Sequence, residues 1–123
     1  MSNSPQTMHF ECTRGDTKPF LLELSDPDGK SVDMTGQVLW FTVKAARSLP
    51  DSAAVIQKRL ICSDDVNAVE GRVQLLLSSH DTDIAPGAYY YDFQSVAPSD
   101  PPLVTTLFAG RFIVKEDITR SVF

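Results

Sequence analysis

Three short stretches set side by side residues that could do chemistry. The first is "SSHD", which places Ser79, His80 and Asp81 in a row. A nucleophilic relay needs serine, imidazole and carboxylate to converge through hydrogen bonds, and adjacent side chains diverge instead. The chain has no G-x-S-x-G elbow and no phosphate-cradling glycine loop. Nucleophile, base and oxyanion donors are therefore not assembled, and the sequence reads as a non-enzyme with no cofactor. The second stretch is "RGD", residues 14–16. It matches an integrin ligand in letters. The chemistry favours a turn, with Gly15 supplying the backbone freedom and Asp16 bonding local N–H groups. The third is "DPDG", residues 26–29, followed by Asp33. It lacks the carboxylate spacing and final glutamate of a calcium loop, and Asp28-Gly29 is a standard hairpin pair.

Metal chemistry finds no better footing. His9 and His80 form neither HxxxH nor HExxH, and Cys12 and Cys62 form no CxxC. Two distant cysteines fit buried thiols in a reducing compartment, and the sequence leaves open whether they pair.

The elements that must carry these residues read as strands. Alternation at period two marks "KPFLLEL", "VLWFTVKA", "RVQLLLS", "YYYDFQ" and "TTLFAGRFIVK" as half-buried strands. "AVIQKRLI" and "HFECT" are weaker members. Turn residues separate them at "RGD", "DPDGK", "MTGQ", "NAVEGR", "APGA" and "APSDPP". "SSHDTDI" reads as one helical turn capped by Ser78 or Ser79. Strands are expected at 8–12, 18–24, 38–45, 54–61, 72–77, 88–95 and 104–115. That pattern predicts an all-β fold, an antiparallel immunoglobulin-like sandwich of about seven strands, with a barrel as the alternative. Residues 8–116 would form the sandwich, 1–7 an N-terminal arm and 117–123 a C-terminal tail.

Composition sets outer limits. With 123 residues, 42% of them hydrophobic, the chain can build one core without metal or disulfide support. Its net charge of -5 offers no footprint for a nucleic-acid backbone. No apolar run approaches the ~20 residues of a membrane span, and "MSNSPQTMHF" lacks the start of a secretory signal.

The run "DTDIAPGAYYYDF" carries a more specific signature. In immunoglobulin-like sandwiches a tyrosine at the start of the sixth strand bonds back to the chain just upstream. Tyr89, two residues after Gly87, stands at that place. Tyr91 and Phe93 then continue inward, so Gly87, Tyr89 and Tyr91 read as structural. Beyond this motif, four ordered blocks resemble the immunoglobulin-like domain of tailed-bacteriophage baseplate and tail proteins. They are "RGDTKPFLLEL", "DPDGKSVDMTGQVLWFTVK", "EGRVQLLLSSHDTDIAPGAYYYDFQ" and "LFAGRFIVKEDITR". They resemble in particular the N-terminal domain of upper baseplate proteins, over about nine-tenths of the chain. The resemblance implies a virion structural protein made in the host bacterial cytoplasm and carried in the tail or baseplate. It implies no catalysis. In larger members the domain is fused to fibre or receptor-binding regions. This chain ends after "ITRSVF", so the expectation is a small docking or adaptor subunit.

Alternation also says what is left outside. If Leu39, Phe41 and Val43 face in, Trp40 faces out. By the same parity Tyr90, Arg111 and Ile113 face out, and the third, sixth and seventh strands share a sheet in this fold. Trp, Tyr and Arg are enriched at interface hot spots. Trp40, Tyr90, Arg111 and Ile113, with Val122 and Phe123 of the tail, are thus the expected partner surface. The expected partners are other phage virion proteins and copies of the chain itself, with no nucleic acid and no membrane. Two alternatives stand beside this. One is a head-decoration or neck protein of the virion. The other is a carbohydrate-binding module, in which Trp40 and Tyr90 stack on rings of a host glycan.

Overall fold

The computed structural model describes residues 6–26, 28–62 and 67–118, with Gln6 described by its backbone. The strands are β1 (Gln6–Thr7), β2 (Phe10–Thr13), β3 (Lys18–Glu23), β4 (Val38–Lys44), β5 (Ile56–Ile61), β6 (Arg72–Leu77), β7 (Gly87–Ala97) and β8 (Leu103–Lys115). They form two sheets, so the fold is all-β. The larger sheet runs β1-β8-β7-β4-β5, with β2 also on β8, and the smaller is β3-β6. The sandwich arises because every central strand alternates. Buried Leu39, Phe41 and Val43 on β4, with Tyr91 and Phe93 on β7 and Phe112 and Val114 on β8, face buried Phe20, Leu22, Val73, Leu75 and Leu77. A sheet with one apolar side must cover it, and the second sheet does so.

Phe41 is the hub of this core. Its ring centroid lies 4.6 Å from Phe93, 5.7 Å from Tyr91, 5.9 Å from Phe112 and 6.0 Å from Phe20 across the sandwich. Each such ring contributes roughly 1.5–3 kcal/mol by burial alone. Phe10 of β2 closes one side, 4.7 Å from Phe20 and 5.1 Å from Tyr91.

Two features correct the sequence reading. The sheets are not wholly antiparallel. β1 and β2 run parallel to β8, pairing Gln6 with Phe108 and Phe10 with Phe112, so the large sheet is mixed. The first strand is also broken in two, and Gln6 and Thr7, ahead of the expected start at residue 8, already pair with β8. The break has a physical cause at residues 8 and 9. The Met8 carbonyl accepts the Tyr91 hydroxyl at 2.6 Å and lies over Gly110. A Cβ on Gly110 would fall 2.0 Å from that oxygen. The exposed His9 lies beside β8, and its Nδ1 accepts the Arg111 backbone N–H at 3.1 Å. An imidazole thus takes the place of a ladder carbonyl.

The strand expected at 54–61 is β5, and it pairs with β4. It widens the large sheet and leaves β3-β6 two-stranded, where a constant-type immunoglobulin sandwich has four strands. The turns follow their chemistry. Gly15 has φ 81°, and Asp16 N–H returns to the Thr13 carbonyl at 3.0 Å, so "RGD" is a tight turn. It docks on the 78–83 turn, where Thr82 Oγ1 donates to the Asp16 carbonyl at 2.6 Å and Arg14 pairs with Asp83 at 3.1 Å. In "SSHD", Ser78 N–H donates to Asp81 at 2.8 Å and Asp81 N–H to Ser78 Oγ at 3.2 Å, the reciprocal bonds of a capped turn. At "DPDG", Asp26 Oδ1 accepts the N–H groups of Asp28 and Lys30, each at 2.9 Å, so this carboxylate serves the turn. Cys12 and Cys62 are buried and form no disulfide. Burial pushes the Cys12 thiol up from its ordinary value, so it is a poor nucleophile.

The Gly110 contact generates a test. Gly110→Ala is expected to lose about 3 kcal/mol or more of stability, because a methyl group must displace backbone rather than a flexible side chain. Urea denaturation measures it, and a midpoint equal to the wild type would contradict this account of the strand break.

Candidate functional site

The outer face of the large sheet is built in rows, because the strands are in register. Arg59, Trp40 and Gln94 lie side by side, and Gln57, Thr42, Asp92 and Ala109 form the next row. Lys44, Tyr90 and Arg111 form the third, and Ala88 pairs with Ile113 beyond it. All these positions have the parity opposite to the core, so the pleat turns them outward. A register shift between Phe93 and Gln94 keeps β8 in step on both sides of an extra residue. Through this bulge Val104 and Phe108, both even-numbered, take opposite faces. At the far end Ile61, Val38, Val96 and Val104 make an apolar row.

The face is concave, with a cleft of about 770 Å³ walled by Trp40, Tyr90 and Arg47 and floored by Thr42, Asp92 and Gln94. The β4–β5 connection makes one wall. Lys44 Nζ holds it in place, 2.7 Å from Asp51 and 2.8 Å from the Leu49 carbonyl. This brings Arg47 over Tyr90, its guanidinium carbon 4.7 Å from the ring centroid. Arg111 lies at 4.7 Å from the same centroid, and Arg59 lies 6.0 Å from the centroid of Trp40. Stacking on an aromatic face holds a guanidinium in one place while leaving its N–H edge to other acceptors.

Asp92 is the charged group of the floor. Burial pushes its carboxyl above the ordinary value; Lys44 opposes this, and Asp51 adds to it. Tyr91, behind the floor, is buried in the core, and that burial pushes its phenol far up. Its hydroxyl bonds Met8 and does no acid–base chemistry near neutral pH.

Trp40 and Tyr90 line one cleft, and Arg111 stacks on Tyr90. Ile113 is half-buried beside Ala88 and does not line the cleft. Val122 and Phe123 lie outside the described residues. Gly87 opens β7, opposite Val114. Tyr89 is half-buried against the core, and its hydroxyl donates to the Ala85 carbonyl at 2.5 Å. That bond ties the sixth long strand back to the chain before it. Sequence reasoning missed Arg47, Arg59 and the floor carboxylate. Arg59 and Asp92 had a signal in strand parity. Arg47 had none, since a loop carries it.

The fold has a counterpart. It is similar to the N-terminal domain of phage TP901-1 ORF48, with a TM-score of 0.59, covering 91% of this chain and 90% of that one at 10% sequence identity. At that identity the likeness is one of fold. No protein-family model matches the chain, and no curated protein matches its sequence.

The floor makes a pH prediction. Because the folded-state pKa of Asp92 is raised, its contribution to stability is full below the ordinary carboxylate value and lost as pH rises through the raised one. Asp92→Asn is therefore expected to be more stable than the wild type at neutral pH. The difference should vanish below about pH 4. Thermal denaturation across pH reads it, and a destabilised variant at neutral pH would show that the carboxylate is instead held by favourable partners.

Proposed function

We propose that this chain is a structural domain of a bacteriophage virion, a docking subunit of the tail or baseplate that works by protein–protein contact and not by catalysis. The observation that carries this is the likeness of the fold, over 91% of the chain, to a phage-protein domain. The ordered blocks that resemble baseplate domains support it from the sequence side.

The contact surface in this reading is the outer face of the large sheet. Trp40 and Tyr90 are large and half-buried, so they lose little freedom on docking. Arg47 and Arg111 are already held against Tyr90. A surface of this kind presents Trp, Tyr and Arg anchors in a concave patch, the composition of interface hot spots. Ile113 extends it toward β2, where Glu11 is its register neighbour.

Two experiments test the reading in sequence. Mass spectrometry of washed particles of the encoding phage should find the chain at fixed stoichiometry; its absence would end the virion assignment. Trp40→Asp should then leave a folded chain, because the indole is outside the core, but reduce its incorporation at least tenfold, about 1.4 kcal/mol in binding. Normal incorporation would remove the outer face from the docking surface.

A further inference from the structure

Two opposite sides of the sandwich each expose apolar surface. The front is the outer face of β5-β4-β7-β8. Its apolar row ends in Ile61, 36% exposed, and Val104, 57% exposed. The back is the outer face of the two-stranded β3-β6 sheet. There Leu21 is 64% and Leu76 54% exposed, and Leu76 pairs in register with exposed Pro19. Covering only one side leaves the other in water.

The two sides differ in their balance of charge. On the front, Arg47, Arg59 and Arg111 stack on Tyr90 and Trp40. None of the three is in an ion pair among the described residues, whereas Arg14 and Arg72 are paired. Arg111 Nε is buried and has no hydrogen-bond acceptor among the described residues. These guanidinium groups, with no carboxylate partner among the described residues, sit on a chain whose net charge is -5. The excess negative charge therefore lies elsewhere on the surface. On the back, exposed Glu23 faces exposed Arg72 across the β3–β6 pair, Arg72 is itself paired with Glu70, and exposed Asp28 and Lys30 lie on the turn after β3, so three carboxylates there meet two cations.

We infer that the front of one copy docks on the back of a second copy of this chain, so that copies associate front to back. The inference rests on the front being a docking face and names what docks there. Complementarity decides the geometry. A symmetric front-to-front pair would oppose three guanidinium groups with three more, and like charges across an interface are costly. A back-to-back pair would leave the arginines unanswered. Front to back sets apolar Leu21 and Leu76 against the apolar and aromatic front, and brings carboxylates toward Arg47, Arg59 and Arg111. Such a contact is heterologous: each copy keeps one unused front or back, and growth continues until a ring closes.

Sedimentation velocity on the 123-residue chain tests this. The front variant is Arg47→Glu with Arg59→Glu, and the back variant is Leu21→Asp with Leu76→Asp. All four side chains are exposed, and circular dichroism checks that both variants fold. The wild type should associate with rising concentration and dissociate in high salt. Each variant alone should stay monomeric. Mixed one to one, they should form a dimer and nothing larger, about a twofold rise in mass, because only one intact front meets one intact back. A wild type that stays monomeric at every concentration overturns the inference. So does a mixture that stays monomeric, or a back variant that associates like the wild type. If the wild type is monomeric and Trp40→Asp is still lost from particles, the docking face stands and its partner is another protein.

Discussion

The parity of the pleat is the constraint on which the rest of the structure depends. Phe41, Tyr91 and Phe112 must face inward to build the aromatic core that joins the two sheets. Once they do, the two-residue period leaves Trp40, Tyr90 and Arg111 no direction but outward. The core and the candidate docking face are thus two sides of one arrangement. A one-residue slip of β7 against β4 would exchange Tyr90 and Tyr91, putting a phenol stacked by two arginines into the core. Register is accordingly tied down at several points. Tyr89 bonds back to Ala85, Tyr91 bonds across to Met8, and Lys44 clasps the loop beside the cleft.

The link between Tyr91 and Met8 shows how core and sheet edge are coupled. The Tyr91 ring packs among phenylalanines, while its hydroxyl reaches the Met8 carbonyl, between the parallel strands β1 and β2. A half-buried carbonyl left without a partner costs stability, so the break and the tyrosine support each other. Gly110 makes the approach of the chain possible, and His9 completes the ladder at Arg111. Arg111 therefore belongs to both systems: its backbone is part of this junction and its side chain is part of the outer face.

Much of this was legible in the letters. The strands around Phe20, Phe41, Val73 and Tyr91 lie where alternation puts them, because each is half-buried and its period is clean. The turns at "RGD" and "DPDG" obey local glycine and aspartate chemistry. What was hidden depends on distant partners. The parallel pairing of β1 and β2 with β8 leaves no local pattern, since it joins segments at opposite ends of the described chain. The bulge opposite Phe93 reverses the parity of β8, so Val104 and Phe108 could not be assigned from spacing. Arg47 reaches Tyr90 only because Lys44 folds its loop back, and the burial of Asp92 follows from the curl of the sheet rather than from its neighbours in the chain.

The central claim is that the outer face carrying Trp40 and Tyr90 is covered by protein in the assembled particle. Hydroxyl-radical footprinting read by mass spectrometry tests it most directly, by comparing intact virions with the dilute isolated chain at matched dose. The account predicts that Trp40 and Tyr90 are oxidised at least several-fold more slowly in the particle, while exposed residues away from both faces react alike in the two samples. Equal oxidation of Trp40 and Tyr90 in particle and free chain would contradict it.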